Sequence, residues 1–244
     1  MRIAVAGGTG VVGRHITEVA RRRGHEVTVL ARSQGVDLTT GAGLDLTGVQ
    51  AVIDVTSVQT TGAAKAVRFF QAVTDTLLAA EQAAGVAHHV VLSIVGVEAA
   101  PYGYYAGKAA QERRVEAGQV PWTVLRATQF HEFAGQIFTR TKTGPVAIVP
   151  TMRSQPVAAA EVAARLVELA ETGPAGRVPD LAGPRVERMA ELSRRWAAAT
   201  GAPGHVVEVP IPGGMGRVMR DGTLLARPGS QLGKLTFDQW LATL

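Results

Sequence analysis

The stretch Arg2-Ile3-Ala4-Val5-Ala6-Gly7-Gly8-Thr9-Gly10-Val11-Val12-Gly13-Arg14 decides how this chain is read. Arg2–Ala6 is a short apolar run that ends at a glycine. From Val11 to Arg23 the apolar residues Val12, Ile16, Val19 and Ala20 recur at helical spacing, and Gly24 is placed to stop that helix. The segment is therefore a strand, a glycine turn and a helix. Each glycine has a physical task. Gly7 permits the tight turn, Gly10 removes a side chain where backbone must approach a ligand, and Gly13 lets helix and strand pack closely. The helix start adds free N–H groups and a partial positive charge. Such a turn suits a diphosphate.

Outward from this unit, strands and helices alternate. Glu26–Ala31 reads as a second strand, with at most a minimal strand near Val36-Asp37-Leu38. Ala51–Val55 is the next strand, and Ala63–Ala84 is a long helix stopped by Gly85. Val90–Val95, the helix Tyr102–Ala117 capped by Gly118, and Trp122–Ala127 follow. Strands separated by helices imply right-handed parallel βαβ units with helices on both faces. The fold class expected is α/β, a Rossmann-type doubly wound parallel sheet with a small C-terminal substrate lobe. After about Phe130 the pattern loosens. Val146–Val149 and Val206–Val209 read as short strands, and Ala160–Glu171 and Glu187–Thr200 as helices. Gly201–Lys234 is rich in Gly and Pro, so loops are expected, with Gly213-Gly214-Met215-Gly216 either a flexible lid or a plain surface loop. Thr236–Leu244 resembles a short closing helix. The whole chain, 1–244, is expected to be one domain, with 146–244 contributing the lobe.

Composition narrows the function classes. Apolar residues make up 46% and charged residues 18%, so a large core is easily supplied. Cysteine is absent, which excludes disulfides, a thiol nucleophile and thiolate-ligated metal. His88-His89 precede a strand without a nearby acidic cluster and read as surface residues, so no metal site is expected. No apolar run approaches the roughly 20 residues that cross a bilayer, and the start is too short for a signal peptide, so a cytoplasmic protein with no membrane partner is expected. The net charge of +5 comes from scattered basic residues, and Arg21-Arg22-Arg23 falls at a helix end where cations are favourable. This speaks against nucleic acid and for an anionic small molecule.

The second strand ends Leu30-Ala31-Arg32-Ser33. An NAD site usually places a carboxylate there for the ribose 2′-hydroxyl. Here an arginine can pair with a 2′-phosphate and Ser33 can add a hydroxyl, with Arg14 also in reach, so NADP(H) is the expected cofactor. Tyr104 and Lys108 stand four apart on a predicted helix and share a face. A lysine cation lowers a phenol's pKa and favours proton transfer, and Ser93 at the end of the preceding strand can hydrogen-bond a substrate carbonyl. Tyr105 lies near the same face, so the sequence leaves open which tyrosine only packs and whether Lys108 serves only to hold a ribose. His131, in Gln129-Phe130-His131-Glu132-Phe133, reads as a proton donor or, preferably, as a polar residue on a pocket wall. Trp196 and Trp240 lie on predicted helices and are expected to pack.

Gly-Gly-Thr-Gly-Val-Val-Gly-Arg at 7–14, Tyr104-Tyr105-Ala106-Gly107-Lys108 and Leu125-Arg126-Ala127-Thr128-Gln129-Phe130 together resemble the atypical short-chain dehydrogenases/reductases, in particular the NmrA-like NAD(P)-binding proteins. Gln155-Pro156-Val157 and Thr236-Phe237-Asp238-Gln239-Trp240-Leu241 extend the resemblance over nearly the whole chain. It implies Gly7, Thr9, Gly10, Val11 and Val12 at the pyrophosphate, and Arg32 and Ser33 at the 2′-phosphate. It places Asp37-Leu38 beside the adenine and Val55, Thr56 and Ser57 on the ribose side after the fourth strand. Lys108 falls on the nicotinamide ribose, and Ala127, Thr128 and Gln129 border the nicotinamide. Phe130 and His131 are expected on the substrate pocket, closed by the lobe. Two functions follow as expectations. One is an NADPH-dependent reductase of a small carbonyl, quinone or conjugated substrate using Ser93, Tyr104 and Lys108. The other is a non-catalytic NADP(H)-binding sensor acting through a protein partner. An epimerase or lyase with tightly held cofactor is a third. Neither substrate nor oligomeric state is readable.

Overall fold

The computed structural model describes residues 1–244. Its first part alternates β1 (Arg2–Ala6), α1 (Val11–Arg22), β2 (Glu26–Leu30), β3 (Ala51–Asp54), α2 (Ala63–Ala84), β4 (His88–Ile94), α3 (Gly103–Ala117) and β5 (Trp122–Ala127). There follow α4 (Glu132–Thr141), β6 (Lys142–Thr143), β7 (Val146–Pro150), β8 (Arg153–Ser154), α5 (Ala159–Thr172), β9 (Gly176–Arg177) and β10 (Leu181–Ala182). The last are β11 (Glu187–Arg188), α6 (Met189–Thr200), β12 (His205–Val209), α7 (Gly213–Arg220), β13 (Gln231–Leu232) and α8 (Phe237–Leu241). Two compact units emerge: Met1–Arg126 with Ala160–Val178, and Ala127–Ala159 with Pro179–Leu244. The lobe expected from residue 146 thus begins at Ala127, and most of α5 belongs to the first unit.

In the first unit the strands stand in the order β5-β4-β3-β1-β2, with β9 beside β5. Val5 pairs in parallel with Val29 on one side and Ile53 on the other. The chain therefore leaves β1 in both directions, and the crevice beyond the ends of β1 and β3 is the switch point where open α/β sheets bind ligands. β1, β3 and most of β4 are buried, as the near-continuous apolar sequence of a doubly covered sheet requires. One cluster joins Ala4, Ala6, Leu30, Val52, Val73 and Leu77 with Val36, Leu38, Leu46 and Val49. Fully burying a leucine of this kind contributes on the order of 1.5–3 kcal/mol.

Three sequence expectations are corrected here. The minimal strand at 36–38 does not form; Asp37 makes a single bridge to Ala42, and its carboxylate accepts the Thr39 N–H and hydroxyl. With Gly41 and Gly43 both at positive φ, the segment is a run of turns, and the strand counted fourth is the third. His88 and His89 are not surface residues. They open β4 at 3% and 0% exposure, His88 bonded to the Thr123 hydroxyl and His89 to the buried Glu81 carboxylate. A buried imidazole is tolerable because each has a polar partner.

In the second unit β12 runs parallel to β7, and β6 antiparallel to it. Gly135 of α4 lies against Trp196 of α6, where a Cβ would stand 2.5 Å from the indole. The glycine-rich stretch at 213 is helical, where a loop was expected: α7 folds so closely on Ile211 that a Cβ on Gly216 would fall 1.7 Å from its carbonyl oxygen. Trp240 packs on Phe237, and α8 opens with a capping box of Thr236 and Gln239.

Two stability outcomes are expected. A Cβ on Gly183 would fall 1.8 Å from the Pro156 carbonyl oxygen. Gly183→Ala should therefore cost about 2–3 kcal/mol and lower the melting temperature by roughly 5–10 °C in calorimetry. Burial pushes the His88 imidazole from its usual 6.5 down to about 4. The unfolded chain then binds a proton that the folded one refuses, so this contribution is complete above pH 6.5 and is lost as pH falls towards 4. Melting curves between pH 7 and 5 should show that loss, and His88→Gln should flatten it.

Candidate dinucleotide site

The cradle is built by backbone. Gly7 adopts φ +81°, and a Cβ there would stand 2.9 Å from the Val55 carbonyl oxygen, so the loop after β1 lies directly against the loop after β3. Gly13 is closer still to its neighbours: its Cβ would sit 2.3 Å from Gly7 O and 2.6 Å from Gly8 Cα. The contact that Gly13 permits is thus helix on loop, where the sequence suggested helix on strand. At Gly10 the only nearby atom would be Gly7 O at 3.3 Å, which leaves that face of the turn open. The first intrahelical bond runs from Arg14 N to Gly10 O, so the amides of Val11, Val12 and Gly13 precede it and point out of the helix end. No acidic residue stands in the first turn. Thr9 is exposed, while the Val12 side chain is buried in the core and contributes only backbone to the cradle. Thr56, on the wall facing Gly7, is buried with a hydroxyl that has no hydrogen-bond partner. An open turn, free amides and an unsatisfied hydroxyl fit a dinucleotide diphosphate and its ribose.

Arg32 and Ser33 are exposed on a one-turn 3₁₀ segment, Arg32–Gln34, directly after β2. Asp37 lies close enough to Arg32 to feel its charge, although its carboxylate is held low first by the Thr39 hydrogen bonds. Leu38 is buried in the core cluster with Leu30 and Val36.

At the other end of the site Tyr104 bonds the Ser57 hydroxyl at 3.1 Å and stacks edge-on against Phe70. The same loop, residues 55–57, therefore walls Gly7 and anchors the tyrosine. Burial pushes the Tyr104 phenol up, Asp54 adds to this, and the Ser57 bond opposes it. The sequence reading had a lysine lowering that phenol. In the structure Lys108 is 3% exposed, its ammonium donates to Gln111 Oε1 and lies 4.8 Å from the Phe70 ring centre. Gln111 Nε2 in turn donates to Asp54 Oδ2 at 2.7 Å. Ser93 is buried in β4 with a hydroxyl that has no hydrogen-bond partner, near enough to Glu112 to help hold that carboxyl down. Glu112 is held by the Arg126 guanidinium at 2.6 and 2.9 Å and by Arg177 at 3.0 Å. Burial raises its carboxyl, but these cations and Ser93 bring it below the usual range.

Ala127, Thr128, Gln129, Phe130 and His131 belong to the second unit. Ala127 pairs with Leu181, Thr128 donates to the Gln155 carbonyl at 2.6 Å, and Gln129 bonds Leu224 O at 3.4 Å. Phe130 bridges to Val157. His131 is 1% exposed, packs against Phe237 and Trp240 and reaches Leu235 O at 3.1 Å. The expected pocket-wall histidine is instead the polar member of an aromatic cluster. Sequence reasoning missed Asp54, Gln111 and the Glu81–His89 pair. A carboxylate closing an apolar strand was the one available signal.

A sequence profile described as NAD(P)H-binding matches residues 7–172. The epimerase family protein SDR39U1 of Bos taurus is 43% identical over 49 residues, 20% of this chain and 17% of that protein's length, so the match covers a small part of the relative. Among solved structures, a short-chain dehydrogenase/reductase superfamily protein of Agrobacterium tumefaciens with bound NAD has TM-score 0.65 at 20% identity, covering 100% of this chain and 95% of that one. MoeE5, in complex with UDP-glucuronic acid and NAD, gives 0.71 at 16%, covering 100% and 97%. An Escherichia coli NADPH-dependent quinone oxidoreductase gives 0.62 at 16%, covering 99% and 98%. These structures share the α/β fold with a central parallel sheet flanked by helices. With its glycine cradle at the switch point and its profile match over two thirds of its length, the chain belongs to the NAD(P)H-binding family.

Proposed function

We propose that this protein is an NADPH-dependent oxidoreductase acting on a small carbonyl, quinone or conjugated substrate. The observation that carries the reading is the 55–57 loop, which packs on Gly7 and also holds the Tyr104 hydroxyl. A proton-bearing phenol is thereby tied to the wall of a dinucleotide cradle. The amides at the start of α1 would hold the diphosphate, and Arg32 with Ser33 the 2′-phosphate. Bound NADPH supplies a hydride. Tyr104 keeps a proton on its Oη at neutral pH, because burial raises it, and delivers that proton to the substrate oxygen while Ser57 fixes the hydroxyl's direction. Lys108 carries the positive charge beneath, and Ser93 lies buried in β4 with an unpartnered hydroxyl.

A second reading, a sensor without turnover, draws on Lys108 being turned to Gln111 rather than to Tyr104. A third, an epimerase with retained cofactor, draws on the short match to an epimerase family protein. One set of measurements separates the three. Calorimetry should give tighter binding of NADPH than NADH, and Arg32→Asp should weaken NADPH by roughly 10- to 100-fold while sparing NADH. Absorbance at the nicotinamide band, followed with a panel of quinones and aldehydes, should show consumption. Tyr104→Phe should lower kcat by roughly 10²–10⁴ with NADPH affinity unchanged. Binding without consumption across the panel supports the sensor, and product formation with no net loss of NADPH supports the epimerase. Preference for NADH, or no binding of either, overturns the proposal.

A further inference from the structure

Burying an ammonium needs a partner that supplies negative charge or an aligned dipole. Lys108 has Gln111 and the face of Phe70. The orientation of the Gln111 carboxamide is dictated by its neighbours: a lysine only donates and a carboxylate only accepts, so Oε1 must face Lys108 and Nε2 must face Asp54. All three side chains are nearly or wholly buried. The second Asp54 oxygen accepts the Thr56 N–H at 2.8 Å, which fixes the start of the loop that walls Gly7 and holds Tyr104. Resting on the reading of the site given above, we propose that Gln111 and Asp54 are positioning residues for Lys108. The carboxylate orients the carboxamide, and the carboxamide sets where the lysine's charge stands and how firmly it is kept.

The surrounding charges are consistent with this task. From α2 and β4 the Glu81 carboxylate grips the His89 imidazole at 2.8 Å, both fully buried. Burial would lower His89, but Glu81 and Asp54 raise it overall. His89 Nε2 has no hydrogen-bond partner, and Asp54 and Lys108 both act on it electrostatically. On α3, Glu112 is committed to Arg126 and Arg177, and Tyr104 to Ser57. Asp54 and Glu81 thus balance Lys108 and His89. Burial lowers Lys108 from 10.5 to about 8 against the pull of Asp54 and Glu112, so its charge is lost just above neutrality. Replacing the bridging carboxamide changes that balance in a chosen direction. Leucine removes the acceptor and favours the neutral amine, whereas glutamate adds a carboxylate and favours the ammonium.

The test uses the full chain labelled with ¹³C at lysine Cε, titrated by NMR from pH 6 to 10, with Lys108 assigned against Lys65, Lys142 and Lys234 by Lys108→Arg. NADPH affinity is measured over the same range. The Lys108 midpoint near 8 should fall by about one pH unit in Gln111→Leu and rise by about one unit in Gln111→Glu or fall in Asp54→Asn. NADPH affinity in each protein should decline through the same midpoint. If Gln111→Leu does not fold, the Gln111→Glu and Asp54→Asn arms decide. Midpoints that stay together in all folded variants overturn the positioning role even if NADPH binds. Failure of the wild-type chain to bind NADPH overturns the reading of the site, while the NMR shifts still judge the buried contact.

Discussion

The fold turns on how closely three pieces of bare backbone approach one another. Gly13 rests on Gly7, and Gly7 rests on the Val55 carbonyl, at distances that exclude any side chain. These contacts set the pitch of α1 against the sheet and the width of the crevice between β1 and β3. They also leave the amides at the helix start facing outward. The parallel sheet, the long α2 and the start of α3 at Gly103, whose Cβ would meet Thr61 O at 3.0 Å, are arranged around that crevice.

A second constraint lies beneath it. Unit one buries an acid-base set on the face of β3 and β4 covered by α2 and α3, and each member has a specific counterpart. Such a set adds little net stability compared with an apolar replacement, since desolvation offsets much of the attraction. Its worth lies in placement. It fixes Lys108 and the loop after β3 relative to the cradle. The arginine–glutamate cluster of Arg126, Arg177, Glu98 and Glu112 does the same for the segment between β4 and α3.

The parts of this architecture that depend on periodicity and on glycine were legible in the sequence. β1, α1, α2 and β5 stand where apolar spacing and stop residues put them, because local pattern and burial agree there. The glycine turn between β1 and α1 was readable for the same reason. What escaped depended on contacts between distant residues. The helix at 213 exists because its glycines allow close packing that composition alone reads as a loop. His88 and His89 looked exposed because their partners, Thr123 and Glu81, lie on other elements. Tyr104 and Lys108 share a helix face as their spacing required, yet their polar atoms are claimed by Ser57 and Gln111, which spacing on one helix does not reveal.

The one-turn segment Arg32–Gln34 contains no buried residue and stands after β2, the outermost strand of its sheet. The segment proposed to read the adenosine end of the dinucleotide therefore contributes no side chain to the core that keeps the unit folded. On that proposal, preference between phosphorylated and unphosphorylated dinucleotides is free to drift over evolutionary time at little cost in folding, whereas the glycine turn, fused to the core through Gly7 and Gly13, is not.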